Sequence, residues 1–591
     1  MQSLSTKEPF ANQKQTASPG RISHELFILR IAIIVLAGLF VYAPAFHGDW
    51  LWDDDQEITE NPVLRDPGGL TKIWTGNAGA DFFPLKTTIQ WGLFRFLKTN
   101  KTGYHLVNVL LHLTSALLVW RLFERLNVKQ AWLGGLLFCI HPILVESVAW
   151  ISELKNTLSL PFLLLSMLAY IKFDERGCRS DYFWAVGLFL ASILCKTSVV
   201  MYPFVVVLFC WWKRGRLGWS DILRSVPFFV VSLALGLITI HFQHDRAIGT
   251  ETILVGGWAS RTATAGMAVL FYLYKSIIPF GLLPIYPRWK VDPPTLVQFL
   301  PWPIMAGMLV WFWTTRKTWG RHALLGTGFF LLNVFPILGF ITMSYMRITW
   351  VADHFVYLPA IGVIGLIVAG AGNEFERSRG NIRTGSIVVA LISFTILIIA
   401  SHRYAGIFAD EAEMWSYTLK QNPSAWQAHS RYGKVMMESG NPDAAYHHIR
   451  EAVRLRPDLA ETHNNFASVL GRKGELDNAL VELKEACRIA PDLVVYRLNL
   501  GKLLVLMKKF EEARGLYGEL LKKEPENPIF LCNYGVALFC LDRKDEAIAK
   551  FEEILKKYPD FEDAKTNLEV AREKPDKDAK PKPMLPSAPD M

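Results

Sequence analysis

The sequence predicts an all-α chain in two parts, a polytopic membrane helix bundle of about 11 spans followed by an α-solenoid. Three observations carry this. The 591 residues are 51% apolar and 13% aromatic, with 20 tryptophans and a positive mean hydropathy, too greasy for an ordinary soluble protein. Apolar stretches near spanning length recur through the first 402 residues. Beyond them Pro423, Pro457, Pro491, Pro525 and Pro559 follow one another at intervals of 34 residues.

A polar cytoplasmic tail, 1–25, precedes the first apolar stretch, 26–46, and no convincing cleavage site follows it, so this span is expected to stay as an anchor. Further stretches lie at 105–121, 131–149, 155–172, 183–212 (a tight pair broken near Pro203), 225–242, 263–284, 300–315, 323–343, 354–372 and 385–402. Basic loops stay cytoplasmic and fix the orientation. Lys7, Lys14 and Arg21 precede the first span, Arg121, Arg125 and Lys129 follow the second, and Lys172, Arg176 and Arg179 follow the fourth. Lys213 to Arg224, Arg316 to Arg321 and Arg377 to Arg383 continue the alternation. Three apolar segments lie between Arg224 and Arg316, and an odd number cannot join two loops on one side. One, with 263–284 the weakest, is expected to be re-entrant or interfacial. The membrane domain is thus 26–402, and everything after it lies outside the cytoplasm.

The first span ends at the acidic triplet Asp53, Asp54 and Asp55. Adjacent carboxylates cannot sit unpaired in hydrocarbon, so they mark a water-facing mouth. Alone they would suit a solvated loop. The same topology brings His141, Glu146, Glu153, Lys155, Asn156, Asp353 and His354 to that non-cytoplasmic face, and this convergence favours a functional site. The 47–104 segment mixes turn signals, Asn61-Pro62 and Asp66-Pro67-Gly68-Gly69, with amphipathic stretches. It is expected to form an ordered loop of interfacial helices bracing the triplet.

The 34-residue interval is the tetratricopeptide-repeat period. Small and aromatic residues recur in phase: Tyr432-Gly433 with Ala445, Phe466-Ala467 with Ala479, Leu500-Gly501 with Ala513, Tyr534-Gly535 with Ala547. Four repeats are predicted within 405–573, with a leading half-repeat at 409–422, a capping helix at 560–573 and a disordered tail at 574–591. Asn464, Asn499 and Asn533 fall at nearly one repeat position on the first helices, beside Asn465. They suit an extended acceptor backbone held through side-chain amides, or a polar ladder that keeps the groove soluble.

The seven cysteines show no paired spacing, and no HExxH, phosphate-binding glycine loop or nucleophile elbow is present. The net charge of +9 is explained by the cytoplasmic loops and calls for no nucleic-acid partner. Asp53 and Asp55 form a D-x-D pair that could hold Mg2+ or Mn2+ against a phosphate.

Several motifs in order carry a resemblance: Trp52-Asp53-Asp54 with Ile58 and Asn61-Pro62, the run Tyr104 to His112, His141-Pro142 with Glu146, Val148-Ala149-Trp150, Glu153 to Asn156, Lys196 with Pro203, and Ala352 to Pro359. Over nearly its whole length the chain resembles the transmembrane and tetratricopeptide-repeat O-mannosyltransferases and their bacterial relatives, within the GT-C class of membrane glycosyltransferases. The resemblance implies transfer of a sugar, mannose foremost, from a polyprenyl-phosphate carrier to a Ser or Thr hydroxyl of an acceptor protein outside the cytoplasm. An alcohol needs a carboxylate to take its proton, and the leaving phosphate needs a cation. Asp53 or Asp54 is the expected base, the other orienting the sugar beside Asp55, and crowding should raise at least one pKa. Lys155, then His354, are the expected phosphate ligands, with His141 and Glu146 shaping the pocket floor. The family often carries Arg at the position of His354 and Glu-Arg-Lys-Asn in place of Glu153-Leu154-Lys155-Asn156.

One base and one displacement imply inversion. The competing reading is a non-catalytic membrane scaffold whose repeats recruit envelope proteins. The expected location is a bacterial inner membrane with periplasmic repeats, the endoplasmic reticulum membrane being the second choice.

Overall fold

The computed structural model describes residues 24–249 and 253–573; the basic leader up to residue 23 and the tail expected at 574–591 lie outside them. Among the described residues the chain is helical with no strand.

Among the described residues six helices are each long and apolar enough to cross a membrane: those within His24–Val41, Lys101–Arg125, Ile151–Arg176, Trp219–Ile248, Leu296–Thr314 and Gly380–Ile407. A seventh crossing arises if Ala131–Ile140 and Pro142–Ala149, bent by 56°, count as one. The count of about 11 expected from apolar composition also included segments that fold as shorter or interrupted helices, such as Tyr202–Arg214 and Gly320–Val334. The interruptions have visible causes. Between Arg179–Cys195 and Tyr202–Arg214 the chain breaks at Lys196 rather than at Pro203, because Pro203 sits in the first turn of the second helix, where its missing N–H costs nothing.

The bend after Ile140 is covered from every side: residues 134–154 are buried throughout. Irregular backbone at such a depth survives only where protein satisfies it. By contrast His24–Val41 and Gly380–Ile407 expose Phe27, Leu36, Val389 and Leu391, the pattern of helices facing lipid.

The segment between the first two spans holds a π-turn, Asp55–Thr59, and the helices Pro62–Arg65, Gly69–Trp74 and Pro84–Leu97. The last of these buries Lys86 and Gln90 inward and leaves Phe96 exposed.

After Glu411–Gln421, four helix pairs stack: Trp426–Glu438 with Pro442–Leu455, Ala460–Arg472 with Leu476–Ile489, Val494–Leu506 with Phe510–Lys523, and Pro528–Cys540 with Lys544–Lys557, closed by Glu562–Arg572. Close approach explains the recurrent glycine: a Cβ at Gly433 would lie 2.3 Å from Ile449, and one at Gly501 2.4 Å from Tyr517. The start of the solenoid shares the membrane core, where Met414, Trp415, Ala425 and Ala428 pack with it. Tyr417 donates to the Leu282 carbonyl at 3.0 Å, Asn422 to that of Ile285 at 3.2 Å, and the Asp49 N–H to that of Ala409 at 3.0 Å. These contacts hold the first repeat over the acidic loop.

Candidate functional site

Trp52 introduces the triplet with φ of +49°, the left-handed region that a bulky residue rarely adopts. Such a conformation costs on the order of 1–3 kcal/mol and persists where its surroundings enforce it. Here the indole stacks on Trp150 at 5.1 Å and meets the edge of Trp415, also at 5.1 Å. The turn separates the three carboxylates. Asp54 points inward and is fully buried; its Oδ2 accepts the Leu51 N–H at 2.9 Å and its Oδ1 accepts the Ser152 N–H at 2.8 Å and the Ser152 hydroxyl. Burial pushes the Asp54 pKa up to about 8, against the pull of these donors. Asp55 turns back along its own helix and accepts from the Thr59 hydroxyl at 3.0 Å.

Asp53 remains partly exposed. Burial raises its pKa; Lys155 and Arg431 draw it down, while Glu57 and Glu153 push it up, and the net shift is upward. Glu57 moves the other way, because Lys86 and Lys155 outweigh its burial. Arg431 comes from the first repeat, so the solenoid contributes a cation to the surroundings of Asp53.

Behind Asp53 lies a paired cluster. Glu153 bridges Lys155 at 3.3 Å and Lys196 at 3.4 Å, and accepts from Asn156. Asn156 also donates to the His354 carbonyl at 3.0 Å, and the His354 Nδ1 meets the Glu146 Oε1 at 2.8 Å. The other Glu146 oxygen, Oε2, is buried and has no hydrogen-bond partner among the described residues. Asp53, Glu146, Glu153, Lys155 and His354 thus belong to one neighbourhood.

Three sequence-predicted residues do not open to it. Asp353 is fully buried, its oxygens taken by the Tyr286 and Tyr404 hydroxyls at 2.8 and 3.1 Å, and it ties the irregular 278–300 stretch to the last membrane helix. His141 spends both ring nitrogens on backbone, facing the Ser276 carbonyl at 3.1 Å and accepting the Ile143 N–H at 3.4 Å, which caps the turn after Ile140. Asn533 is fully buried inside the last full repeat rather than on the groove. Asn464 and Asn499 do meet there: Asn499 donates to Asn464 at 2.8 Å, in a pocket of about 300 Å³ that also includes Ser430, Arg431, Asn465 and Arg472. Arg431 therefore belongs both to the groove and to the surroundings of Asp53.

Sequence reasoning undervalued Lys196, Lys86, Glu57 and Arg431. Lys196 was legible as a lysine closing an apolar helix at membrane depth; the others lie in loops or repeats whose facing partners no local pattern reveals. Among the described residues no three His, Cys, Asp or Glu side chains converge on one point, and of the Asp53 and Asp55 pair Asp55 accepts from Thr59 along its own turn.

The solenoid is of a known class. Tetratricopeptide-repeat family models match residues 460–493 and 498–560. About 70% of the chain aligns with relatives named as protein O-mannosyl-transferases. A Caenorhabditis elegans protein named protein O-mannosyl-transferase F38B6.6 is 22% identical over 461 residues, covering 74% of this chain and 64% of its own. The Homo sapiens protein O-mannosyl-transferase TMTC4 is 24% identical over 489 residues, covering 70% and 64%. The resemblance to the transmembrane and tetratricopeptide-repeat O-mannosyltransferases is borne out, with this chain spanning 64% of the length of each of these relatives. Among solved structures, that of MamA protein is 22% identical and covers 26% of this chain and 85% of that one, at a TM-score of 0.24.

Proposed function

We propose that this chain is a membrane glycosyltransferase that moves mannose from a polyprenyl-phosphate carrier to a Ser or Thr hydroxyl of an acceptor protein. The observation that carries the reading is the division of labour in the triplet. Asp53 stays partly exposed near Lys155 and Arg431, while Asp54 is fully buried and held by Ser152 and Leu51.

In this reading the acceptor hydroxyl attacks the anomeric carbon of the sugar phosphate, and the Asp53 carboxylate takes its proton. The new C–O bond forms on the face opposite the departing oxygen, so the anomeric configuration inverts. The C–O bond to phosphate breaks, and polyprenyl phosphate leaves with the bonding electron pair. Lys155 and Lys196, both anchored on Glu153, supply the positive charge that holds it. His354, fixed by Glu146, takes the third position beside the phosphate, and the unpartnered Glu146 Oε2 suits a sugar hydroxyl. Asp54 acts as a positioning residue for Asp53. No step runs through Mg2+ or Mn2+.

The acceptor reaches Asp53 along the repeat groove, by way of Asn464, Asn499 and Arg431. By the positive-inside reading, site and solenoid face away from the cytoplasm, toward the periplasm if the membrane is a bacterial inner membrane. The test is incubation of the purified full chain with polyprenyl-phosphate-[3H]mannose and Ser/Thr-containing polypeptides. Alkali-releasable label on the polypeptide supports the reading. Label transfer no higher than in protein-free controls, with this and other polyprenyl-phosphate sugars, would return the chain to a scaffold that recruits proteins without modifying them.

A further inference from the structure

At the other end of the bundle, the helices Lys101–Arg125, Leu154–Arg176, Tyr202–Arg214, Gly320–Val334 and Ala360–Arg377 line a second cavity, of about 790 Å³. It lies far from the acidic mouth. Ile171 in its wall is 16 residues along one helix from Lys155, about 24 Å at 1.5 Å per residue. The wall is apolar, made of side chains such as Met167, Val206, Phe209, Phe329 and Leu366. The rim is basic: Lys129, Lys213, Arg321 and His322 border it.

These cations are not equivalent. Lys213 pairs with Asp174 at 2.6 Å and Lys129 with Glu376 at 3.2 Å. Arg321 has no carboxylate within ion-pair distance among the described residues, and its buried Nε has no hydrogen-bond partner there. A buried guanidinium N–H without an acceptor is costly, and the group that removes the cost is an anionic oxygen. Tryptophans gather at the same level: Trp211 stacks on Trp313 at 5.6 Å, Trp212 donates to His322 at 3.1 Å, and Trp319 is nearly half exposed. Tryptophans and basic residues in this arrangement mark the headgroup zone of a bilayer. An apolar wall, an unneutralised arginine at its mouth and a headgroup-level belt together define an amphiphile with one negative charge.

We propose that this cavity is a binding site for an anionic phospholipid of the adjacent leaflet, its acyl chain against the apolar wall and its phosphate on Arg321. The site is separate from the one assigned to the sugar donor, and does not depend on that assignment.

The test uses the purified full chain in detergent, titrated with phosphatidylglycerol or phosphatidylcholine and read by native mass spectrometry. The expected result is one tightly retained phosphatidylglycerol, with phosphatidylcholine bound more weakly. Arg321→Gln should lower phosphatidylglycerol affinity about tenfold, the loss of one charge-assisted hydrogen bond, while Arg321→Lys retains most of it. Ala369→Phe, which fills the cavity without touching the charge, should remove binding while thermal unfolding of the lipid-free protein stays close to wild type. Equal retention of the two lipids, or unchanged retention in Arg321→Gln, would overturn the proposal. So would displacement of phosphatidylglycerol by an equimolar polyprenyl phosphate, since the cavity would then belong to the sugar carrier.

Discussion

Ser152 donates both its backbone N–H and its hydroxyl to one oxygen of Asp54, joining the acidic loop to the buried turn that precedes the Leu154–Arg176 helix. The loop carrying Asp53 and the helix carrying Lys155 are therefore positioned by one shared joint. Ser152→Ala keeps the N–H and loses the hydroxyl, at a cost of about 1–3 kcal/mol for a buried carboxylate short of a donor. Thermal unfolding should fall accordingly, and mannose transfer should drop with it.

Trp52 tests the solenoid's docking. Trp52→Gly relieves the left-handed backbone but empties the slot between Trp150 and Trp415, and loss of a buried aromatic costs about 3–5 kcal/mol. The packing loss outweighs the relief. Faster proteolytic cleavage near residues 403–425 is the expected readout.

The Glu153 cluster separates binding from folding. Lys155→Gln and Lys196→Gln should each raise KM for the lipid donor about tenfold. Glu153→Gln removes the carboxylate between two ammonium groups, and breaking such a buried network costs about 3–5 kcal/mol. That variant should express poorly, whereas the lysine variants should fold.

Adjacent repeats respond to pH in opposite directions. Burial, with His429 and His447 nearby, lowers the His448 pKa to about 4 from 6.5. Between those values the unfolded chain binds more protons than the folded one, so this repeat loses stability as pH falls through the window. One repeat later His463 pairs with Glu482 at 2.6 Å, and that hydrogen bond raises its pKa. Its contribution is full below the ordinary histidine value and is lost as pH rises through the raised one. Thermal unfolding between pH 4 and 8 should show a shallower acid limb in His448→Leu and a shallower alkaline decline in His463→Gln.

In the groove, Asn499→Ala should weaken binding of an extended acceptor peptide several-fold, within the range of one or two lost hydrogen bonds, and also lower stability modestly, since Asn499 is itself buried and donates to Asn464. Asn533→Ala should lower stability and leave peptide binding unchanged, because Asn533 is inside the repeat. Peptide titration beside thermal unfolding distinguishes the two.

The repeats were legible because their packing is local: a glycine facing Ile449 or Tyr517 recurs every 34 residues, and periodicity exposes it. The acidic mouth was legible because carboxylates beside an apolar run have few benign explanations. Which carboxylate stays partly exposed was not, since it depends on the left-handed turn at Trp52 and on Ser152, 98 residues from Asp54. Asp353 and His141 misled for the same reason. An ionisable residue near a membrane reads alike whether it meets a ligand or, as here, two tyrosines or backbone carbonyl and amide groups. Arg431 was hidden because a repeat position carries no record of what its solenoid docks against.

The central claim is that Asp53, and not Asp54, takes the acceptor proton. Single-turnover transfer of labelled mannose from polyprenyl-phosphate-mannose, at saturating donor, separates them. Asp53→Asn should fold normally, bind donor with wild-type affinity and lose transfer by about 100-fold or more. Asp54→Asn should lower thermal stability and slow transfer less. Wild-type transfer by a folded Asp53→Asn protein would contradict the account.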